Sequence, residues 1–277
     1  MAGLSRIHQQ AVHDLLRGRL ERVALNATWR RIQVHFEVGT FDGRWLQFDR
    51  QQREILRQLA QQEWGFDPLE GVPDGTRLEV AGQAIDEKTA RQRPDDSHVL
   101  VKGALPAPLP TLPPELSLRV PLASLDLAAI TQVLVIENLD SFDDWQHYVA
   151  PIELAGSLLL YRGHGGLARG VHQLLNSLPA STRVIVFPDY DPAGLKIAAT
   201  SPRATALLLP EPDKHLLAKG SRQHFDEQFQ EARYLDGAEL GSWQPVWDEM
   251  KARQVSIKQQ HMLALGVRLR IVPRHPR

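Results

Sequence analysis

Two acidic side chains, separated by one residue, follow a short apolar run in the stretch VIVFPDYDPAGLKI, residues 184–197. They are Asp189 and Asp191, and a third acid, Glu137, follows an earlier apolar run, VLVI. If both runs are strands of one parallel sheet, their carboxyl ends lie at the same edge, where the functional groups of open α/β sheets gather. The spacing therefore predicts that three carboxylates come together.

Three carboxylates in one pocket repel each other unless their pKa values rise or a cation compensates their charge. The chain has no cysteine and the motif contains no histidine, so hard oxygen ligands favour Mg²⁺ (or Mn²⁺) over zinc. We expect Glu137, Asp189 and Asp191 to be metal ligands and catalytic residues that act on a phosphate ester. The alternative for Asp191 is a plain helix N-cap before Pro192.

Four further residues near the predicted strand ends are candidates for phosphate or DNA binding. Gly194 would let the backbone approach closely, and the helix that starts there would present free N–H groups to a phosphate. Arg162 and His164 lie in the glycine-rich turn YRGHGG, and Lys196 lies near the helix start. A solvated surface position is the alternative for each charged side chain, and it is the simpler interpretation of His164.

The second half of the chain alternates short apolar runs with helical patterns. Predicted strands are QVLVI, SLLLY, RVIVF and ATALLLP, and the end of the chain is predicted as a helix in KQQHMLALG followed by a strand. This alternation predicts βα units in an α/β domain with a mainly parallel sheet.

Prolines are frequent in residues 103–118, GALPAPLPTLPPELSL, which predicts a semi-stiff linker. We expect it to separate an N-terminal domain, 1–102, from a catalytic domain, 119–277. Within the first domain, 5–24 and 50–63 have helical spacing, the second with Ile55, Leu56 and Leu59 inward, while 32–38 and 77–80 are predicted as strands. This smaller α+β domain is compatible with a winged-helix-like DNA-binding module.

The net charge of −1 is unevenly distributed, because both ends of the chain are basic. Basic ends around an acidic middle would suit a bound polyanion, and ordinary solvated surface charge is the alternative. No apolar run approaches the ~20 residues of a membrane helix, and the N-terminus lacks the apolar region of a secretory signal. We therefore expect a cytoplasmic protein with no membrane partner.

A glutamate after one strand and a DxD motif after a later strand resemble the Toprim domain, a Mg²⁺-binding domain of topoisomerases, primases and nucleases. The stretches VIENLDSF, LLLYRGHGG and FPDYDPAGLKIA are similar to the nuclease subunit of Wadjet plasmid-defence systems, which is related to the topoisomerase VI A subunit. The resemblance covers roughly residues 131–210. It implies a Toprim-like Rossmannoid domain in which Glu137, Asp189 and Asp191 bind Mg²⁺.

The resemblance further implies a Mg²⁺-dependent DNA endonuclease that serves as the effector of a bacterial anti-plasmid or anti-phage complex. Its partners would be double-stranded plasmid DNA, an SMC-like ATPase complex and a second copy of the chain. The tyrosines of this chain all follow Glu137, so hydrolysis is favoured over transfer to a tyrosine that precedes the acidic motif. Hydrolysis of RNA or of a nucleotide phosphate stays open.

One departure from the family pattern concerns the number of metals. Where the family has a further acid, in a Gln-Glu dipeptide near its C-terminal end, this chain has Lys258, Gln259 and Gln260. If that acid helps to hold a second metal, we expect this protein to bind one metal or to use Asp140, Asp143 or Asp144 instead. The alternative is a catalytically weak or silent Toprim-fold subunit that binds DNA or acts as a scaffold.

Overall fold

The computed structural model describes residues 4–274. The chain divides between Pro94 and Asp95 into two compact units. The division falls before the predicted boundary at residue 102, because the strand that spans residues 98–103 belongs to the sheet of the second unit. Among the described residues, no helix is both long enough and apolar enough to cross a membrane.

The first unit combines helices with a small antiparallel sheet, as the α+β prediction for this part of the chain requires. Its three strands are arranged in the order β1-β3-β2. The core contains side chains from three helices and the central strand, including Leu15, Ile32, Leu46 and Leu56. The elements are α1 Arg6–Arg17, β1 Arg22–Ala24, α2 Ala27–Phe36, β2 Thr40–Asp42, β3 Trp45–Gln47, α3 Arg50–Trp64 and α4 Arg77–Ala81.

Both strands predicted in the first unit are helical, and side-chain caps explain the difference. The Asn26 side chain accepts a hydrogen bond from the N–H of Trp29 and starts α2 over much of the predicted strand 32–38. Thr76 and Glu79 form a capping box that starts α4 over the predicted strand 77–80. In α3 the buried face is Leu56, Ala60 and Trp64, and the two other predicted core residues, Ile55 and Leu59, are 40 % and 36 % exposed.

The second unit contains a seven-stranded mixed sheet in the order β10-β9-β8-β6-β7-β4-β5. Its strands are β4 His98–Gly103, β5 Leu118–Pro121, β6 Gln132–Ile136, β7 Leu158–Tyr161, β8 Arg183–Phe187, β9 Ala206–Pro210 and β10 Leu269–Pro273. Its helices are α5 Leu139–Asp143, α6 Gly166–Ser177, α7 Pro192–Thr200, α8 Lys214–Leu217, α9 Arg222–Glu227, α10 Phe229–Gly237, α11 Gln244–Arg253 and α12 Gln259–Ala264.

Only the middle of this sheet has the predicted parallel arrangement. Strands β7, β6, β8 and β9 are parallel neighbours, whereas β4, β5 and β10 pair antiparallel at the two edges. The sheet is therefore mixed rather than mainly parallel. The parallel part is buried, and its apolar runs are the ones that the sequence identifies as strands.

The proline-rich segment 103–118 lies inside the second unit, whereas the sequence suggested a linker between domains. It connects β4 to β5, and these two strands pair antiparallel. Lys102, at the end of β4, fixes the segment because its buried ammonium donates to the carbonyl of Pro114 at 2.9 Å. The same ammonium donates to the Asp143 carbonyl at 2.6 Å and to Gln146 at 3.2 Å.

Candidate functional site

The carboxyl ends of β6 and β8 are adjacent, and Glu137 joins them. The Glu137 N–H donates to the carbonyl of Phe187, the last residue of β8, at 3.1 Å. In the opposite direction, Glu137 Oε2 accepts a hydrogen bond of 3.1 Å from the N–H of Asp189. The sheet thus places the first acid directly beside the chain segment that carries the other two.

Asp189 lies in the first turn beyond β8 and is almost completely buried. One carboxylate oxygen, Oδ1, accepts hydrogen bonds from the side-chain amide of Asn138 at 2.9 Å and from the N–H of Gln259 at 2.8 Å. The other oxygen, Oδ2, lies 3.1 Å from the ammonium nitrogen of Lys258. Both oxygens therefore have partners.

Asp191 is the N-cap of α7, and only 1 % of its side chain is exposed. Its Oδ1 accepts a hydrogen bond from the N–H of Gly194 at 2.8 Å. Its Oδ2 accepts three more, from Gln228 Nε2 at 3.1 Å, Ser256 Oγ at 2.7 Å and Lys258 Nζ at 2.8 Å. The N-cap interpretation and the acidic-site interpretation of Asp191 are thus compatible, since its two oxygens serve different partners.

A segment that precedes α12 brings Lys258 to the two aspartates. Tyr190 and Ile257 exchange backbone hydrogen bonds of 2.9 and 3.1 Å, which holds the segment against the turn after β8. The fully buried Gln259 side chain then spans both strand ends, since it donates to the Phe187 carbonyl at 2.6 Å and accepts from the Asn138 N–H at 3.1 Å. The ammonium of Lys258 consequently bridges Asp189 and Asp191.

Burial and charge shift the pKa values of this group in different directions. Burial, reinforced by the charge of Asp189, raises the pKa of Glu137 to about 7. Burial also raises the pKa of Asp189, against the opposing charge of Lys258. Burial has the same tendency at Asp191, but hydrogen bonds from Lys258 and Gly194 outweigh it and hold the pKa of Asp191 below its usual value.

Lys258 shows the complementary shift. Burial alone would lower the pKa of its ammonium, but the hydrogen bond to Asp191 and the charges of both aspartates raise that pKa above its usual range. Asp191 and Lys258 therefore form a charged pair, whereas the pKa of Glu137, about 7, lies near neutral pH.

Two of the other predicted site residues lie beside the acids. A Cβ on Gly194 would lie 2.2 Å from the carbonyl oxygen of Asp189, so the close approach expected at this glycine is present and requires it. Arg162 follows β7, and its N–H donates to the Ile136 carbonyl at 2.9 Å. The charge of Arg162 acts to lower the pKa of Glu137.

The remaining predicted site residues make contacts elsewhere. His164 is exposed and packs edge-on against Tyr161 at 6.1 Å between ring centroids. Lys196 is 3.3 Å from Glu231 of α10, and its ammonium also lies over the ring of Tyr234. Neither side chain is bonded to the three acids within the described part of the chain.

The aspartates suggested as substitutes for the absent glutamate also lie apart from the centre. The charges of Asp143 and Asp144 act on the buried ammonium of Lys102, and Asp140 is exposed on α5. Over residues 4–274, no group of three Asp, Glu, His or Cys side chains has the arrangement of a metal site. Asp189 and Asp191 instead pair with the ammonium of Lys258, and Glu137 accepts the N–H of Asp189.

The pair of aspartates nevertheless fits a hard cation in its chemistry. Two buried carboxylates direct one oxygen each to a single position, and the group at that position is itself a cation, the Lys258 ammonium. Mg²⁺ binds through such oxygens and keeps several waters. A divalent ion could take this position if the lysine side chain withdrew, which its 39 % exposure permits.

Sequence reasoning missed most of the residues that hold the acids. Ser256 and Gln228 carry no motif of their own, and they reach Asp191 only because distant segments fold against it. The signals that were available were the position of Asn138 next to Glu137 and the basic residue in Lys258–Gln260, where one acid was expected. The positive charge of Lys258 compensates the negative charges of Asp189 and Asp191.

Comparison with known proteins identifies a family but not an activity. The family model described as a domain of unknown function (DUF7281) matches residues 94–271. This match begins at the division between the two units and covers the mixed sheet with its acidic centre. No curated protein matches the chain. The chain belongs to the DUF7281 family.

Proposed function

We propose that the protein is a Toprim-like, Mg²⁺-dependent endonuclease that hydrolyses phosphodiester bonds of DNA. The observation that carries the proposal is the convergence of Asp189 and Asp191 on one cation position at the carboxyl edge of parallel strands, with Glu137 hydrogen-bonded beside them. Ligand sites of open α/β sheets lie at this edge. The four parallel strands support the Toprim-like part of the proposal.

Each acid has a separate role in this proposal. Asp189 and Asp191 would hold the divalent cation, which when bound would polarise a phosphodiester and lower the pKa of an attacking water. Glu137 accepts only the N–H of Asp189 among the described residues, and its pKa of about 7 suits a group that takes a proton from that water. Arg162, whose charge acts on Glu137, would contact the phosphate.

A surface of the first unit supports DNA as the substrate. The guanidinium groups of Arg22 and Arg44 lie 4.8 and 5.4 Å from the ring centroid of Trp45, and the side chain of Phe41 on the neighbouring strand is 55 % exposed. Positive charges combined with aromatic faces are typical of nucleic-acid-binding surfaces. The order helix, strand, helix, strand, strand, helix is compatible with a winged-helix-like module.

The partners in the proposal come from the family resemblance in the sequence. They are double-stranded plasmid DNA, an SMC-like ATPase complex and a second copy of the chain, within the bacterial cytoplasm. Two copies would place two acidic centres on one DNA molecule, which is what cleavage of both strands requires.

A second candidate function is a weak or silent subunit that binds DNA or serves as a scaffold. Lys258 favours it, because its ammonium already neutralises the aspartates and every oxygen of the two side chains has a hydrogen-bond partner. A centre of this kind would stabilise the fold without binding a metal.

Plasmid cleavage by wild type and Glu137→Gln, with Glu153→Gln as the control, separates the two functions. Glu153 is an exposed acid of the same unit, so its variant should cut supercoiled plasmid in Mg²⁺ or Mn²⁺ as wild type does. Glu137→Gln should fold and fail to cut. Equal cutting by all three proteins would exclude Glu137 from the chemistry, and no cutting by wild type with either metal, alone or with its operon partners, would favour the silent subunit.

A further inference from the structure

The ammonium of Lys258 occupies the position at which the two aspartates converge. Its nitrogen lies 2.8 Å from Asp191 Oδ2 and 3.1 Å from Asp189 Oδ2. These are the oxygens that a shared metal ion would use. A bridging ammonium at hydrogen-bond distance from both carboxylates supplies charge in the same place as a bound cation.

We propose that Lys258 is a built-in competitor of the divalent cation, so that the ammonium and the metal exclude each other at the aspartate pair. The inference rests on the proposed function, in which Asp189 and Asp191 are the metal ligands. A Mg²⁺ ion held by both Oδ2 atoms would need the space between them that the ammonium now occupies. Steric overlap and charge repulsion both forbid simultaneous occupancy.

The exchange requires only the side chain of Lys258 to move. Its backbone is held on both sides, by the Tyr190–Ile257 and Ser221–Ser256 backbone pairs and by the buried Gln259 side chain. The lysine side chain itself is 39 % exposed, while the aspartates are 8 % and 1 % exposed. Lys258 can therefore rotate toward solvent from a fixed backbone, and the aspartates stay in place to receive the metal.

A DNA phosphate would favour this exchange. Once a metal neutralises the aspartates, the displaced ammonium loses both of its present carboxylate partners, and a phosphate oxygen is a suitable replacement. Because binding free energies are reciprocal, a polyanion that holds the displaced lysine raises the affinity for the metal. Metal loading would thus be coupled to DNA binding.

Mn²⁺ titration of the full-length protein, followed by electron paramagnetic resonance, tests the competition. The variants are Lys258→Met, which keeps the length of the side chain and removes its charge, and Lys251→Met as a matched control. Lys251 also pairs with carboxylates, those of Asp236 and Asp248, but it lies on α11. Lys258→Met should bind Mn²⁺ about tenfold or more tightly than wild type, which corresponds to about 1.4 kcal/mol or more, and Lys251→Met should match wild type.

Other outcomes separate failure of the competition from failure of the metal site. Equal Mn²⁺ affinity of wild type and Lys258→Met, or weaker binding by the variant, overturns the inference and leaves the proposed function standing. If neither wild type nor Lys258→Met binds Mn²⁺, both the inference and the proposed function are overturned. Lys258→Gln repeats the test if the methionine variant does not give the wild-type circular dichroism spectrum. Lys258→Arg, which keeps the charge, should retain the weak wild-type affinity.

The coupling to DNA is tested in the same titration with an uncleavable phosphorothioate duplex present. The duplex should tighten Mn²⁺ binding by wild type and have a smaller effect on Lys258→Met, in which no ammonium has to be displaced. An unchanged wild-type affinity in the presence of bound duplex overturns the exchange step.

Discussion

Replacement of Asp191 by alanine should destabilise the second unit strongly. The carboxylate accepts four hydrogen bonds, including one from the Lys258 ammonium, and 1 % of its side chain is exposed. Repulsion among three acids alone would favour the opposite result, a variant that folds normally or gains stability. The structure predicts a loss of stability instead, because the carboxylate of Asp191 is paired with the ammonium of Lys258.

The size of the effect follows from the partners that would be left without an acceptor. The Lys258 ammonium is 39 % exposed and can turn to solvent, so the main cost comes from the buried hydroxyl of Ser256 and the buried N–H of Gly194, which would each lose an acceptor at about 1–3 kcal/mol. We therefore expect a loss of about 4 kcal/mol. With a urea dependence of about 2 kcal/mol per M for a unit of this size, the unfolding midpoint should fall by about 2 M.

The measurement is urea unfolding in EDTA at pH 7.5, together with hydrogen exchange of peptides from β6 and β8 so that the second unit is observed separately. Asp140→Ala, at an exposed acid of α5, is the control and should unfold as wild type does. Asp189→Ala should lose less stability than Asp191→Ala, because burial raises the pKa of Asp189 whereas the pKa of Asp191 is lowered. A midpoint for Asp191→Ala at or above that of wild type would refute the reasoning.

Three further results are expected. Because the pKa of Glu137 is raised, its contribution to stability is fully present below about pH 4.5 and is lost as pH rises through about 7. The Glu137→Gln variant should therefore be more stable than wild type at pH 8, by about 1–3 kcal/mol, when unfolding is measured as a function of pH. Asp191, with its lowered pKa, has the opposite sign, so the difference between wild type and Asp191→Ala should shrink as pH falls below about 4. Gly194→Ala should lower the thermal midpoint markedly, because its Cβ would lie 2.2 Å from the carbonyl oxygen of Asp189.

The sequence predicted the centre of the second unit well because its strands are buried on both faces. Strands β6 to β9 are continuous apolar runs between helices, a pattern with few alternatives. The edge strands could not be recognised in the same way. Strand β4 pairs with β7, which lies far along the chain, and the prolines that follow β4 suggested a linker instead of a connection within the sheet.

The first unit shows where periodicity was ambiguous. Ile32, Val34 and Phe36 alternate as in a strand, but Ile32 and Phe36 are also one helical turn apart, and both are buried while Val34 is 71 % exposed. The Asn26 cap decides for the helix. The strands of this unit are three residues long, too short for an alternation pattern to develop.

The position of the acidic centre could be predicted from sequence, but the pairing of its aspartates with Lys258 could not. The strand-end rule brings Glu137 and Asp189 to the same edge of the sheet, because it depends only on strand direction. The bridge from Lys258 depends on the backbone pairing of Tyr190 with Ile257, a tertiary contact that no local pattern encodes. From the sequence alone, Lys258 shows only that an expected negative charge is absent. It does not show that the lysine ammonium pairs with Asp189 and Asp191.

The balance between the two candidate functions depends on Glu137. Asp191 serves the fold, since it caps α7 and accepts four hydrogen bonds. Glu137 accepts a single hydrogen bond within the described chain, and burial of its charge lowers the stability of the unit at neutral pH. Glutamine would accept the same N–H without that cost, so a purely structural centre would be better served by an amide. A half-buried acid that the fold does not need, beside a cation position, favours chemistry at this edge of the sheet over a scaffold role.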